Sequence, residues 1–276
     1  MSNDVIPKSG ILDVHIAGFE KEQLAYGFSR NTVGARIRCI KAIARRAGVA
    51  PGQLTAEAVL TYLANAGLGT WSRRTYLNHL SAFGKHIGVD LVGAIRKPPA
   101  PRSIPDPLSE QDLATLIAAA RGRVRAWVLL GAYCGLRAHE TAKIAAEDMS
   151  REGDEVTLRV LGKGGRTDVL PVPPIVVTAL DLSRPGPLWV GITPYRVSRT
   201  VALLASRQGI GMRYHQLRHR YGTAVYRSSG RDLLLTQRLM RHSSPATTAG
   251  YAAVADDQMH VIARALPGAD PASGES

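Results

Sequence analysis

A chain of 276 residues is long for one domain and comfortable for two, since domains usually run about 100–200 residues. Its 35 Lys and Arg against 22 Asp and Glu leave a formal charge of +13, a surface that attracts nucleic acid or an anionic membrane. No apolar run approaches the roughly 18 residues of a spanning helix, and the first residues lack the regions of a signal peptide, so the expectation is a soluble cytoplasmic protein with no membrane partner. Cys39 and Cys134 lie far apart with no second thiol or His at ligand spacing, which argues against a disulfide framework or a thiolate zinc site and makes both small core hydrophobes. Aromatics at 5% leave base stacking a minor mode, and contact with duplex phosphates fits better.

The first helical patterns fall near residues 10–27 and along Val33, Ile37, Ile40 and Ala44, where Arg38, Lys41 and Arg45 recur at helical spacing on another face. A third pattern covers residues 55–66. A fourth runs from Trp71 to about Ile87, with Tyr76, Leu80, Phe83 and Ile87 as its apolar stripe and Arg73 and Arg74 elsewhere. Together they predict a small all-α bundle with two basic stripes. Up to Lys97 the chain carries 13 basic and 6 acidic residues, against 22 and 16 after it, so the shorter part is the more densely basic. Pro98, Pro99, Pro101, Pro105 and Pro107 interrupt any helix or central strand, and 98–107 reads as a linker.

Beyond it, Ser109 with Asp112 opens a helix that ends near Gly122, and a buried helix covers Ala126 to about Tyr133. Glu155–Leu161 alternates, Gly162-Lys163-Gly164-Gly165 turns, and Thr167–Val172 returns, which predicts a β-hairpin. Thr193-Pro194 caps a helix reaching about Arg207, and helical patterns fill the remainder up to a disordered tail after Leu266. The fold class expected is mainly α with a small antiparallel sheet.

The chemistry-bearing residues come in order. Arg137 follows Gly135 and precedes Glu140 by three. Lys163 sits in the hairpin turn, with Arg166 as a rival. His215 and Arg218, three apart, share one face of a helical turn and can grip one anion. His242 follows, and Tyr251 stands nine residues on. An isolated His-x-x-Arg is more often a surface cation pair; the ordered set is specific where each motif alone is weak. The P-loop spacing is absent around Gly162-Lys163-Gly164-Gly165, so a nucleotide site is not indicated.

This order of Arg-x-x-Glu, hairpin Lys, His-x-x-Arg, His and Tyr resembles the tyrosine recombinase, or phage integrase, family over residues 107–262, with the basic helical part before it similar to that family's core-binding domain. The resemblance implies residues 1–97 as a core-type DNA-binding domain, contacting DNA through Arg38, Lys41, Arg45, Arg73 and Arg74, and 108–266 as the catalytic domain. It implies Tyr251 as nucleophile, Arg137 and Arg218 as clamps on the scissile phosphate, Lys163 as general acid, His215 and His242 as hydrogen-bond or proton partners, and Glu140 as the residue orienting Arg137. The partners implied are double-stranded DNA, four copies of this chain on paired sites, and a directionality factor. No cofactor or metal is implied, because transesterification conserves the bond energy. Phage integrase is the reading taken, without the separate arm-site domain of larger integrases. A dimer resolvase of the Xer type, a type IB topoisomerase and a catalytically silent DNA-binding regulator are the alternatives.

Two positions depart from the family pattern. Arg241 stands where Leu-Gly-His has glycine, so it either points to DNA or distorts the turn, and His219-Arg220-Tyr221 replaces the usual His-Thr-Phe. Tyr221 is next in line as nucleophile should Tyr251 not serve. Met259, Ile262, Ala263 and Leu266 form an apolar stripe of a helix over Ala255–Leu266, which either docks on a neighbouring subunit, as the resemblance implies, or packs in cis.

Overall fold

The protein is described by a computed structural model at residues 14–100, 106–162, 167–242 and 248. The chain divides into two compact units, Met1–Arg102 and Ser103–Ser276. The hairpin residues Lys163 and Arg166, the nucleophile candidate Tyr251 and the stripe over Ala255–Leu266 lie outside the described residues, as does the tail.

The first unit holds α1 (Val14–Ala25), α2 (Arg30–Ala47), α3 (Ala56–Asn65) and α4 (Thr70–Ile87). The Ser29 hydroxyl caps α2 by accepting the Thr32 amide, and the helix closes on Gly48 in the left-handed conformation, the arrangement that satisfies orphan groups at both ends. Cys39, Ile40, Ile43 and Ala44 turn inward and meet Phe19, Leu63, Leu80 and Phe83 in one core. Phe19 and Phe83 pack edge to face at 5.2 Å, a favoured geometry for ring quadrupoles. Arg38, Lys41 and Arg45 stay exposed. After α4 the chain folds back: Lys97 Nζ donates to Asn78 at 2.5 Å, and the Arg74 guanidinium donates to the Pro98 carbonyl.

The second unit begins with α5 (Glu110–Ala119), whose cap Ser109 accepts the Asp112 amide. Next comes α6 (Gly122–Tyr133), starting four residues before the stretch read from sequence. Residues Ala126 to Ala132 of α6 are all buried, as expected of a helix apolar all round. The single turn α7 (Ala138–Thr141) leads to a three-stranded antiparallel sheet of β1 (Met149–Glu152), β2 (Glu155–Leu161) and β3 (Thr167–Pro171), with β2 central. The expected hairpin is β2 and β3; β1 is an addition, joined to β2 through Gly153-Asp154 with Glu152 opposite Glu155. Val156, Leu158 and Val160 alternate inward. The short α8 (Pro174–Val177), then α9 (Pro194–Arg207) capped by Thr193, α10 (His215–Ser228) and α11 (Leu233–Met240) complete the unit. Among the described residues, no helix is long and apolar enough to cross a membrane.

A polar knot inside this core fixes α7 and the start of α10 against α6. Tyr214 donates its hydroxyl to the Trp127 carbonyl at 2.9 Å and lies 2.8 Å from the Thr141 hydroxyl, while Trp189 donates its indole N–H to the Thr141 carbonyl at 2.8 Å. The Tyr214 and Thr141 hydroxyls and the Trp189 indole N–H are thereby bonded, which avoids a desolvation cost of about 1–3 kcal/mol apiece. Arg137 borders this knot on one side and His215 follows Tyr214 on the other, so the knot sets where both emerge.

Candidate active site

The site is built around the turn that follows α6. Gly135 takes φ +61°, a conformation that costs an L-residue with a Cβ about 1–2 kcal/mol, and a Cβ there would meet the Tyr221 ring at 2.3 Å. The turn aims the Gly135 carbonyl at incoming donors and places Arg137 as the cap of α7. Glu140 satisfies that cap: its Oε2 accepts the Arg137 amide at 2.8 Å and its Oε1 accepts the Arg137 guanidinium at 3.0 Å. The Arg137 side chain remains one-third exposed while that of Glu140 is fully buried. A buried carboxylate thus steers a guanidinium that still faces outward.

Arg218 lies one helical turn after His215 on α10 and is buried. It donates to the Gly135 carbonyl and to the Met240 carbonyl, stitching the end of α6 to the end of α11. His215 packs edge to face on His219 at 4.5 Å. His242 is half-buried and its Nδ1 lies 3.0 Å from the hydroxyl of the buried Thr248.

Electrostatics follow from this crowding. Burial pushes the Glu140 carboxyl up, but Arg241, the Arg137 amide and the guanidinium groups of Arg137 and Arg218 outweigh it and hold the group below its ordinary value. The imidazoles of His215 and His242 are both lowered to about 4, first by burial and then by cationic neighbours, among them Arg218 and Arg137. Both are neutral near pH 7, ready to donate one hydrogen bond and accept another. Burial pushes the Tyr221 phenol up to about 12. With its ring packed under Gly135, Tyr221 is unsuited to attack anything in solvent.

Arg241 corrects an expectation. It neither points to DNA nor distorts its turn: its side chain is 2% exposed and its Nη2 donates to Glu140 Oε2 at 2.7 Å. Its backbone, at φ 52° and ψ 44°, adopts the left-handed conformation natural to glycine at a helix end, and the closing amide bonds of α11 from Arg241 and His242 are intact. Arg220, the second departure, forms a two-bond ion pair with Glu110 at 2.8 Å each and lies over the Tyr133 ring, so it ties α5 to α10.

The structure therefore brings Arg137, Glu140, His215, Arg218 and His242 together, while Lys163 and Tyr251 lie outside the described residues. In the first unit, Arg38, Lys41 and Arg45 line the exposed side of α2. Arg73 and Arg74 are half-buried, and each gives a guanidinium N–H to a carbonyl of its own unit, Leu63 and Pro98.

Guanidinium groups drawn together from three separate elements, in a mainly helical unit with a small antiparallel sheet, make an arrangement suited to an anionic phosphate group. No family model matches the chain. A curated relative is the tyrosine recombinase XerC of Mesorhizobium japonicum (strain LMG 29417 / CECT 9101 / MAFF 303099), 31% identical over 215 residues that cover 68% of this chain and 67% of that protein. The matched stretch spans about two thirds of the length of such relatives. By fold, a lambda integrase dimer bound to a COC′ core site is similar at TM-score 0.67 and 18% identity, covering 90% of this chain and 96% of that one. A lambda integrase tetramer bound to a Holliday junction is similar at TM-score 0.66 and 17% identity, covering 88% and 78%. The chain belongs to the tyrosine recombinase family, whose work is site-specific recombination.

Proposed function

We propose that this chain cuts and rejoins duplex DNA through a 3′-phosphotyrosyl intermediate, with Tyr251 as nucleophile. The observation that carries the reading is the convergence of Arg137, His215, Arg218 and His242 beside the Gly135 turn. In the reaction, the Tyr251 phenol gives its proton to a neutral imidazole, His215 or His242, and its oxygen bonds to phosphorus while the bond to the 5′-oxygen breaks, and that oxygen takes a proton from Lys163. The released 5′-hydroxyl of a partner strand then reverses the step, restoring a phosphodiester and the phenol. Arg137 and Arg218 bind the non-bridging oxygens and stabilise the pentavalent phosphorane, a task suited to a planar donor that stays charged at any working pH. His215 and His242, neutral before DNA arrives, donate hydrogen bonds to the same oxygens or relay protons.

Residues 1–97 serve as the core-type DNA-binding domain and 108–266 as the catalytic domain, with 98–107 joining them. Arg38, Lys41 and Arg45 contact the backbone, supporting affinity rather than sequence choice. Four copies act on two paired sites, as in the lambda integrase tetramer on a Holliday junction, and the chain works in the cytoplasm on the nucleoid. Phage integration is the finer reading, with a directionality factor as partner for the reverse reaction. Resolution of chromosome dimers is favoured instead by the XerC name of the sequence relatives. Recombination between two identical sites with no added factor supports the latter, and a need for two unlike sites supports the former.

Tyr251→Phe tests the mechanism. The variant is expected to bind DNA as the parent does but to form no covalent adduct on a nicked duplex, because one phenol oxygen contributes little to binding dominated by phosphate contacts. An adduct that persists in Tyr251→Phe moves the nucleophile elsewhere.

A further inference from the structure

We infer that Arg241 is a positioning residue of the cleavage site: it offsets the charge of Glu140 so that the field of Arg137 is left for the scissile phosphate. The inference rests on the recombinase reading above and assigns a role to a residue whose backbone position is natural to glycine.

The geometry separates three cations by what they touch. Arg137 and Arg241 share the two oxygens of Glu140, Arg137 on Oε1 and Arg241 on Oε2. Arg218 touches backbone carbonyls. With Arg137 alone on Glu140, that pair would be formally neutral toward an approaching phosphate. With Arg241 on the second oxygen, the three groups together carry one net positive charge, and the exposed member is Arg137. Arg241 makes its 2.7 Å ion pair with the fully buried Glu140, so its charge acts through the carboxylate and not by contact with DNA.

A purely structural stitch fits the pattern poorly. Arg241 holds φ 52°, where glycine would be unstrained. Its Nε and Nη1 are buried with no hydrogen-bond partner, a costly state for a guanidinium. Its Nη2 approaches the Gly135 carbonyl only at 3.5 Å, a distance that makes little of a hydrogen bond. What the side chain does well is the 2.7 Å ion pair to Glu140. Glycine would close the same turn without strain and without a buried cation, so the charge is the property that the geometry uses.

The test reads single-turnover cleavage of a nicked duplex carrying a core site that the protein itself has selected from random-sequence DNA, alongside its Kd for that duplex and its thermal unfolding. Arg241→Met keeps an unbranched apolar side chain and removes charge, Arg241→Lys keeps the charge on a slightly shorter side chain, and Arg241→Gly removes strain and charge together. Expected is a rate about 10²-fold lower for Met and for Gly, the size of loss that follows removal of one preorganised electrostatic contribution, with Lys within about tenfold of the parent and Kd unchanged throughout. Glu140→Gln added to Arg241→Met is expected to recover about tenfold or more, because removing the negative charge leaves Arg137 unopposed. Should the Met variant fail to fold, Gly carries the comparison. Equal rates for Lys and Met, a Gly variant as fast as the parent, or no recovery by Glu140→Gln each overturns the inference. A parent chain that forms no adduct on its selected site overturns the recombinase reading instead.

Discussion

Gly135→Ala probes the turn on which the pocket is hung. The perturbation has two separable parts. The left-handed φ of +61° is costly for alanine, about 1–2 kcal/mol. The new methyl would stand 2.3 Å from Cδ1 and 2.7 Å from Cε1 of the buried Tyr221 ring, an overlap that the neighbourhood relieves only by shifting, at a further ~1–3 kcal/mol. The expected loss is about 2–5 kcal/mol, a large share of a total that is usually about 5–15 kcal/mol. Gly153→Ala is the internal control, because Gly153 has φ +58° and nothing within 4 Å of its added Cβ. It lies in the same unit, so it should lose only the backbone part. Urea unfolding followed by fluorescence of the buried Trp127 and Trp189 measures both, and the difference between the two variants isolates the clash. Removing the ring in Gly135→Ala/Tyr221→Ala should make the double variant less unstable than the sum of the singles. Cleavage should fall more than stability accounts for, since the same carbonyl receives Arg218. Equal losses at Gly135 and Gly153, or strict additivity with Tyr221→Ala, would refute the packing described around this turn.

Two further outcomes follow. Lys163→Ala should slow cleavage strongly on ordinary DNA but much less on a substrate with sulfur at the 5′-bridging position, because a thiolate leaves without the proton of a general acid; equal losses on both substrates would remove Lys163 from that role and bring Arg166 forward. With DNA absent, the unfolded chain protonates its histidines near pH 6.5 whereas His215 and His242 in the folded protein are lowered to about 4, so the unfolded state binds more protons between those values and stability should fall as pH drops from 6.5 toward 4. Urea midpoints measured across that window in His242→Gln should fall less steeply than in the parent, and an unchanged slope would contradict the environment described for His242.

Much of this architecture was legible in the residues. Thr193-Pro194 and Ser109 with Asp112 carry start signals whose hydrogen bonds are local, and helices α5 and α9 begin there. The pair β2 and β3 declared itself because Val156, Leu158 and Val160 alternate. Strand β1 did not: Met149-Ser-Arg-Glu is short, exposed on most of its length, and held by pairing with β2 rather than by burial of its own side chains. Its one local signal was Gly153-Asp154, a two-residue loop of the kind that closes hairpins. At the site, the order of Arg137, His215, Arg218 and His242 was readable because sequence spacing fixes their types and local turns. The inward course of Arg241 was not, because it depends on Glu140, which is 101 positions away along the chain. The same holds for Arg74, whose partner Pro98 comes from the segment folding back past α4.

The arrangement of Arg137, Arg218 and Arg241 about the buried Glu140 has a bearing on how this protein can be improved or spoiled. Like charges held close repel one another, and the two imidazoles beside them are kept from protonating first by burial and then by this field. On the recombinase reading proposed above, this crowding is expected to cost the second unit stability that a bound anionic phosphate would offset. Substitutions that neutralise this cluster would raise the melting temperature while reducing turnover. A screen for thermostable variants would select such substitutions first, and a screen that also scored strand cleavage would reject them.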